Sequence, residues 1–304
     1  MTALAAIDIG SNSVRLLVTD EGGAELARLM NITRLAQGVD ADGNLAEEAM
    51  ARTLAVLHNY REAMDRHRVS ASRVTATSAA RDAGNRREFF QRVAATVGAE
   101  PELLSGAQEA ALSFAGATAS LPPATGRTVT LDIGGGSTEF ALGESNVESS
   151  ISIDMGCVRM TERFLQDDPP TAEQLASAEA FVRGELSRVE AAVPCRSATR
   201  WLGLAGTVTS LAALDAGLSN YDPSRTHGYE LRPQRIVEMH HELCRLSMQE
   251  RAERLLTPKR AGVIVGGSLI LAEVVRFFEP ASIIVSEQDI LDGLAASLAE
   301  RDNG

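Results

Sequence analysis

Short apolar runs bounded by turn residues dominate the chain, and they recur in the same order in its two halves. Residues 3–9, 14–20 and 24–32 predict three strands. After the turn Asp42-Gly43-Asn44, residues Met50, Leu54, Leu57 and Met64, with Tyr60 nearby, recur at helical spacing to about residue 67. That stripe is core. A short strand over 73–78, a helix over 85–97, a strand over 102–104 and a helix to about 118 complete the first series. The stretch Leu121-Pro122-Pro123-Ala124-Thr125-Gly126 breaks both periodicities and predicts a linker, dividing the chain into domains 1–124 and 125–304. The order then repeats. Strands are expected near 127–133, 137–143 and 147–154, helices over 157–166 and 172–192, and a strand over 201–205. Helices follow near 233–246 and 260–278, then the strand Ile283-Ile284-Val285 and a closing helix from Asp289. Two such series imply two α/β domains around a cleft.

The strongest local signal is a duplicated strand–turn–strand. Ala6-Ile7-Asp8-Ile9-Gly10-Ser11-Asn12-Ser13-Val14-Arg15 reappears as Thr130-Leu131-Asp132-Ile133-Gly134-Gly135-Gly136-Ser137-Thr138-Glu139 at a constant offset of 124 residues. Asp8 aligns with Asp132, Gly10 with Gly134, Ser13 with Ser137 and Arg15 with Glu139. A turn of Gly, Ser, Asn and Thr between strands exposes successive backbone N–H groups, a concave nest for phosphate oxygens. Glycine lets the backbone approach the ligand closely, and an Asp ending each first strand can hold Mg²⁺ directly or through water. A single copy would read equally as an ordinary hairpin. Two copies read as two phosphate clamps with a metal between them.

Composition narrows the setting. The chain of 304 residues, 44% apolar, can supply two cores. Its opening residues enter a strand at once without a basic leader, and no apolar run is long enough to span a bilayer, so no signal peptide and no membrane partner are expected. Cys157, Cys195 and Cys244 lack metal-site spacing, which points to a reduced, cytoplasmic protein. The net charge of −12 argues against nucleic-acid binding. A polyanionic substrate would need a locally basic channel, for which the arginine-rich run over 61–92 is the candidate.

The duplicated hairpin, together with Thr77-Ser78-Ala79-Ala80-Arg81, Ser105-Gly106-Ala107-Gln108-Glu109, Met155-Gly156-Cys157-Val158-Arg159 and Gly203-Leu204-Ala205-Gly206-Thr207, resembles the exopolyphosphatase/guanosine pentaphosphate phosphohydrolase (Ppx/GppA) family of the actin-like ATPase superfamily. The resemblance runs nearly end to end. It implies two ribonuclease-H-like domains, each a mixed sheet flanked by helices. It also implies Mg²⁺, with Mn²⁺ as a substitute, and hydrolytic release of terminal orthophosphate from inorganic polyphosphate. Guanosine pentaphosphate is the alternative substrate, and a homodimer is compatible with the family pattern.

The resemblance assigns roles residue by residue. Where the family has two consecutive glutamates, this chain has Gln108-Glu109. Ser105 followed by Gln at the third position is a capping box, so Gln108 is explained by helix capping and Glu109 matches the catalytic base. Arg81 is expected on the scissile or adjacent phosphate, and Asp132 with Glu139 as metal or water ligands, joined by Asp8. Gly10, Ser11, Asn12, Ser13, Arg15, Gly134, Gly135, Gly136, Ser137, Thr138, Gly206 and Thr207 are expected to bind phosphates. Cys157 reads as a packed residue rather than a nucleophile, and His227-Gly228 matches a family pattern of underived role. The C-terminal helical extension of longer members is missing from this sequence, which disfavours processive grip on long chains. Two rivals share the clamps: an actin-like small-molecule kinase and a non-catalytic polyphosphate or alarmone sensor.

Overall fold

The computed structural model describes residues 3–302. It resolves into two compact units: the chain through Gly116 joined by the segment from Asp289 onward, and Ala117–Gln288.

In the first unit β1 (Ala3–Ile9), β2 (Ser13–Asp20) and β3 (Glu25–Ile32) form an antiparallel meander. β4 (Val69–Ala76) runs parallel to β1, and β5 (Glu102–Leu103) parallel to β4. The resulting order, β3-β2-β1-β4-β5, is the ribonuclease-H-like sheet the sequence predicts. β1 is buried along its whole length because helices cover both of its faces. On one face lie α1 (Val39–Asp42), α2 (Glu47–Arg66), the short α3 (Ser78–Asp82) and α4 (Arg86–Val97). The predicted stripe holds for Met50, Leu57 and Met64, which join Ile7, Val14, Leu16, Phe89 and Val93 in one cluster, with Leu54 packed at its margin. α5 (Gly106–Ala119) starts from a capping box: Ser105 N donates to Gln108 Oε1 at 2.9 Å and Gln108 N to Ser105 Oγ at 3.3 Å.

The second unit repeats the plan. β6 (Thr128–Ile133), β7 (Thr138–Gly143) and β8 (Val147–Ile153) make the meander, followed by α6 (Cys157–Phe164) and α7 (Ala172–Ala192). β9 (Arg200–Leu204) is parallel to β6 and leads into α8 (Ala205–Asp215). α9 (Pro223–Thr226), β10 (Glu230–Leu231), α10 (Pro233–Arg245), α11 (Met248–Arg254), α12 (Ile264–Phe278) and β11 (Ile283–Val285) complete it, in sheet order β10-β11-β9-β6-β7-β8. The last helix, α13 (Ile290–Asp302), packs Ile290, Leu291 and Leu294 on Ala6 and Leu17 of the first sheet.

The units therefore differ from the expected division at 124 in two respects. α13 belongs with the first unit, because its apolar side covers the remaining face of that sheet. The linker 121–126 lies inside the second unit, where Arg200 Nη1 donates to the Pro122 carbonyl at 2.6 Å. Proline and glycine mark a loop there, not a boundary. No helix among the described residues is long and apolar enough to cross a membrane.

Candidate active site

Each hairpin closes on the same bond. Gly10 N donates to the Ser13 carbonyl at 3.0 Å, and Gly134 N to the Ser137 carbonyl at 3.0 Å. In the first turn the remaining carbonyls face the body of the unit: Asn12 O accepts from Thr33 N and Arg34 N, and Ser11 O from Ala36 N. Ser11 Oγ accepts from Ala79 N at the start of α3, fixing the turn to the segment that carries Arg81. Asp8 Oδ1, Asn12 Oδ1 and Ser78 Oγ are buried without a hydrogen-bond partner.

Arg15 lies directly opposite Asp8 across β1 and β2. It donates through Nη2 to Asp8 Oδ2 at 2.7 Å and through Nη1 to Asp289 Oδ2. Burial pushes the Asp8 carboxyl above its ordinary range, and Arg15 opposes that rise. The residue expected on phosphate is thus already engaged by two carboxylates.

Arg81 and Glu109, named separately from the sequence, come together. Arg81 Nη1 donates to Glu109 Oε2 at 2.7 Å and to the Leu104 carbonyl at 3.0 Å. Glu109 is only 9% exposed. Of the other arginines in the run 61–92, Arg61 pairs with Asp65, Arg73 with Glu102 and Arg92 with Glu47. These three are spread over separate elements, and only Arg81 of the four meets a predicted site residue.

The second turn is braced differently. Its carbonyls receive the start of α6: Gly134 O accepts from Cys157 N, Gly135 O from Val158 N and Arg159 N, and Gly136 O from Arg159 Nε at 2.8 Å. This close approach requires Gly156, where a methyl group would sit 2.3 Å from the Gly135 carbonyl oxygen. Gly156→Ala should therefore cost about 2 kcal/mol or more of stability. The control Gly184→Ala, in α7 with nothing within 4 Å, should be neutral or stabilising by up to about 1 kcal/mol. Urea unfolding of the two variants checks this, and equal midpoints would contradict it.

Asp132 and Glu139 stand directly opposite one another on β6 and β7, 7% and 2% exposed respectively. Ser152 Oγ donates to Glu139 Oε1 at 2.6 Å. Like charges facing each other across an antiparallel pair are unfavourable, whereas the equivalent pair in the first hairpin is Asp8 with Arg15. Two opposed carboxylates fit a divalent cation of the Mg²⁺ kind, which takes one or two protein carboxylates and leaves other positions to water and substrate. No group of three His, Cys, Asp or Glu side chains that would form a fuller cage occurs among the described residues.

Gly206 and Thr207 lie in the first turn of α8, whose first residue Ala205 takes φ 63°. The guanidinium of Arg260 covers Gly206, so that a methyl group there would lie 1.8 Å from Arg260 Nη1. Burial pushes the Cys157 thiol up to about 11, which leaves it an inert packing group. His227 Nδ1 accepts from Glu287 N at 3.3 Å and Gly228 N donates to the Val285 carbonyl, so that segment seats the end of β11. Sequence reasoning missed Asp289, Arg159 and Arg260. Arg159 stood only as the last residue of the Met155-Gly156-Cys157-Val158-Arg159 segment, and Arg260 follows Lys259, the chain's single lysine.

A model of the Ppx/GppA phosphatase family matches residues 17–302. The chain belongs to that family. Exopolyphosphatase 2 of Mycobacterium tuberculosis is 42% identical over 316 residues, covering 98% of this chain and 99% of that protein. The crystal structure of the Aquifex aeolicus Ppx/GppA member superposes with a TM-score of 0.83 at 33% identity, covering 100% of this chain and 99% of that one. An exopolyphosphatase from Cytophaga hutchinsonii superposes at 0.91 with 26% identity, covering 99% and 98%. The two-sheet architecture is therefore the Ppx/GppA one throughout.

Proposed function

We propose that this Ppx/GppA protein is an exopolyphosphatase, hydrolysing the terminal phosphoanhydride bond of inorganic polyphosphate. The observation that carries hydrolysis over passive binding is the Arg81–Glu109 pair, a nearly buried carboxylate fixed by a guanidinium. Phosphoryl transfer to water needs an oriented water, a proton acceptor and donors for the charged oxygens, with little covalent help. In this reading Glu109 orients the water and takes its proton. The water oxygen bonds to the terminal phosphorus, the bridging P–O bond breaks, and the shortened chain leaves as the anion beside orthophosphate. Arg81 fixes Glu109 and contacts the phosphoryl group. The hairpins Gly10–Ser13 and Gly134–Thr138 each supply backbone donors to phosphate oxygens, and Gly206, Thr207 and Arg260 serve phosphates rather than a nucleoside. Asp132 and Glu139, facing each other across β6 and β7, would hold Mg²⁺ or Mn²⁺, which when bound supplies neutralising charge at the phosphoryl oxygens.

Hydrolysis in oxygen-18 water tests the reaction class. The label should enter the released orthophosphate; phosphate passed to an added acceptor without label uptake would indicate a kinase instead. Arg81→Lys keeps the charge but loses the planar, multi-donor guanidinium whose Nη1 alone meets both Glu109 and the Leu104 carbonyl, so turnover should fall about 10-fold or more, and further for Arg81→Ala. Unchanged steady-state kinetics in Arg81→Ala would remove this residue from the site.

A further inference from the structure

Arg15 is the one cation at the hairpin position where the other copy carries Glu139, and it is held by a residue 274 positions away. Asp289 is buried, and its surroundings fix it. Its Oδ1 accepts from Leu291 N at 3.0 Å, capping α13, while Oδ2 accepts from Arg15 Nη1. Its backbone carbonyl abuts Gly116 so closely that a methyl group there would lie 2.0 Å away. The carboxylate is therefore presented to Arg15 by rigid backbone, not by a mobile surface side chain. Asp8 takes Nε and Nη2 of the same guanidinium at 3.2 and 2.7 Å. Three nitrogens of one arginine are thus committed to two carboxylates, which together carry one more negative charge than it can offset.

We propose that Asp289 is a positioning residue that limits the anion affinity of the first clamp by keeping Arg15 from the substrate phosphate. This rests on the reading of the Gly10–Ser13 turn as a phosphate clamp. A guanidinium that met phosphate with its full fork would hold the orthophosphate product as firmly as the substrate. A carboxylate already seated on Nη1 lowers that grip and favours release.

Asp289→Asn keeps an oxygen for the Leu291 N–H and turns an amide donor toward Arg15, so the cap persists while the pairing is lost. Binding of tripolyphosphate to the full chain in excess chelator, measured by calorimetry, should tighten about 3- to 10-fold. In turnover with Mg²⁺, KM should fall by a similar factor and orthophosphate should inhibit more strongly. In the Arg15→Gln background the same change should leave tripolyphosphate affinity within about 2-fold, because Asp289 acts through Arg15. Asp289→Ser, which also can cap, gives the same comparison should the Asn variant fail to fold. Unchanged or weakened binding in a folded variant, or equal tightening without Arg15, would overturn the inference while leaving the clamp standing. A parent protein that binds no tripolyphosphate would overturn both.

Discussion

Glu109→Gln is expected to lower phosphate release by about 10²–10⁴-fold, the usual loss for a positioned general base, while Gln108→Ala stays nearly as active as the parent. The two neighbours do different work. Gln108 accepts from Ser105 N at 2.9 Å and so closes a capping box; its loss should cost about 1 kcal/mol or less of stability. Glu109 points to Arg81 instead, at 2.7 Å. Glutamine in its place keeps an oxygen for Arg81 but cannot take a proton from water. Binding of a short polyphosphate should survive in Glu109→Gln, since the hairpin turns are untouched. The assay pairs phosphate release with polyphosphate binding for both variants. An active Glu109→Gln beside a dead Gln108→Ala would show the base to be misassigned by one residue.

Asp132→Asn and Glu139→Gln should each remove most activity, because the opposed carboxylates lose the charge that attracts the cation. The same juxtaposition predicts a metal-dependent effect on folding. Mg²⁺ should then raise the unfolding temperature of the parent and not of the variants. Glu139→Gln preserves an acceptor for Ser152, which separates loss of charge from loss of shape. Full activity in either variant, or in excess chelator, would refute the metal assignment.

The sequence discloses what is local. Both hairpins are closed by their own residues, so the pattern of apolar strand, Asp, Gly and small polar turn was sufficient to find them. The Ser105–Gln108 box spans three residues and was equally visible. Short elements were not: α3 and α11 are too brief for a helical period to register, although α11 has its own capping box from Ser247 to Glu250. Arg81 and Glu109 could be named but not paired, because their contact depends on how α3 and α5 leave the first sheet. Asp289 was out of reach entirely, since nothing within several residues of it hints that it meets Arg15. Gly156 looked like a motif letter. Only the carbonyls of Gly135 and Gly136 packed against α6 explain why that position tolerates no side chain. The Pro-Gly stretch at 121–126 misled in a different way, for composition registers a loop and cannot register which sheet face lacks a cover.

Hydrolysis of a terminal phosphoanhydride in polyphosphate is open to a single side-by-side assay. The purified chain, with Mg²⁺, is offered short polyphosphate, long polyphosphate, guanosine pentaphosphate and ATP at equal terminal-phosphate concentration, and orthophosphate is followed over time. The expected result is steady orthophosphate release from polyphosphate, abolished by chelator and by Glu109→Gln, with ATP turned over far more slowly. Release from ATP at a rate matching or exceeding that from polyphosphate, or no release from any polyphosphate by the folded protein, would contradict exopolyphosphatase activity.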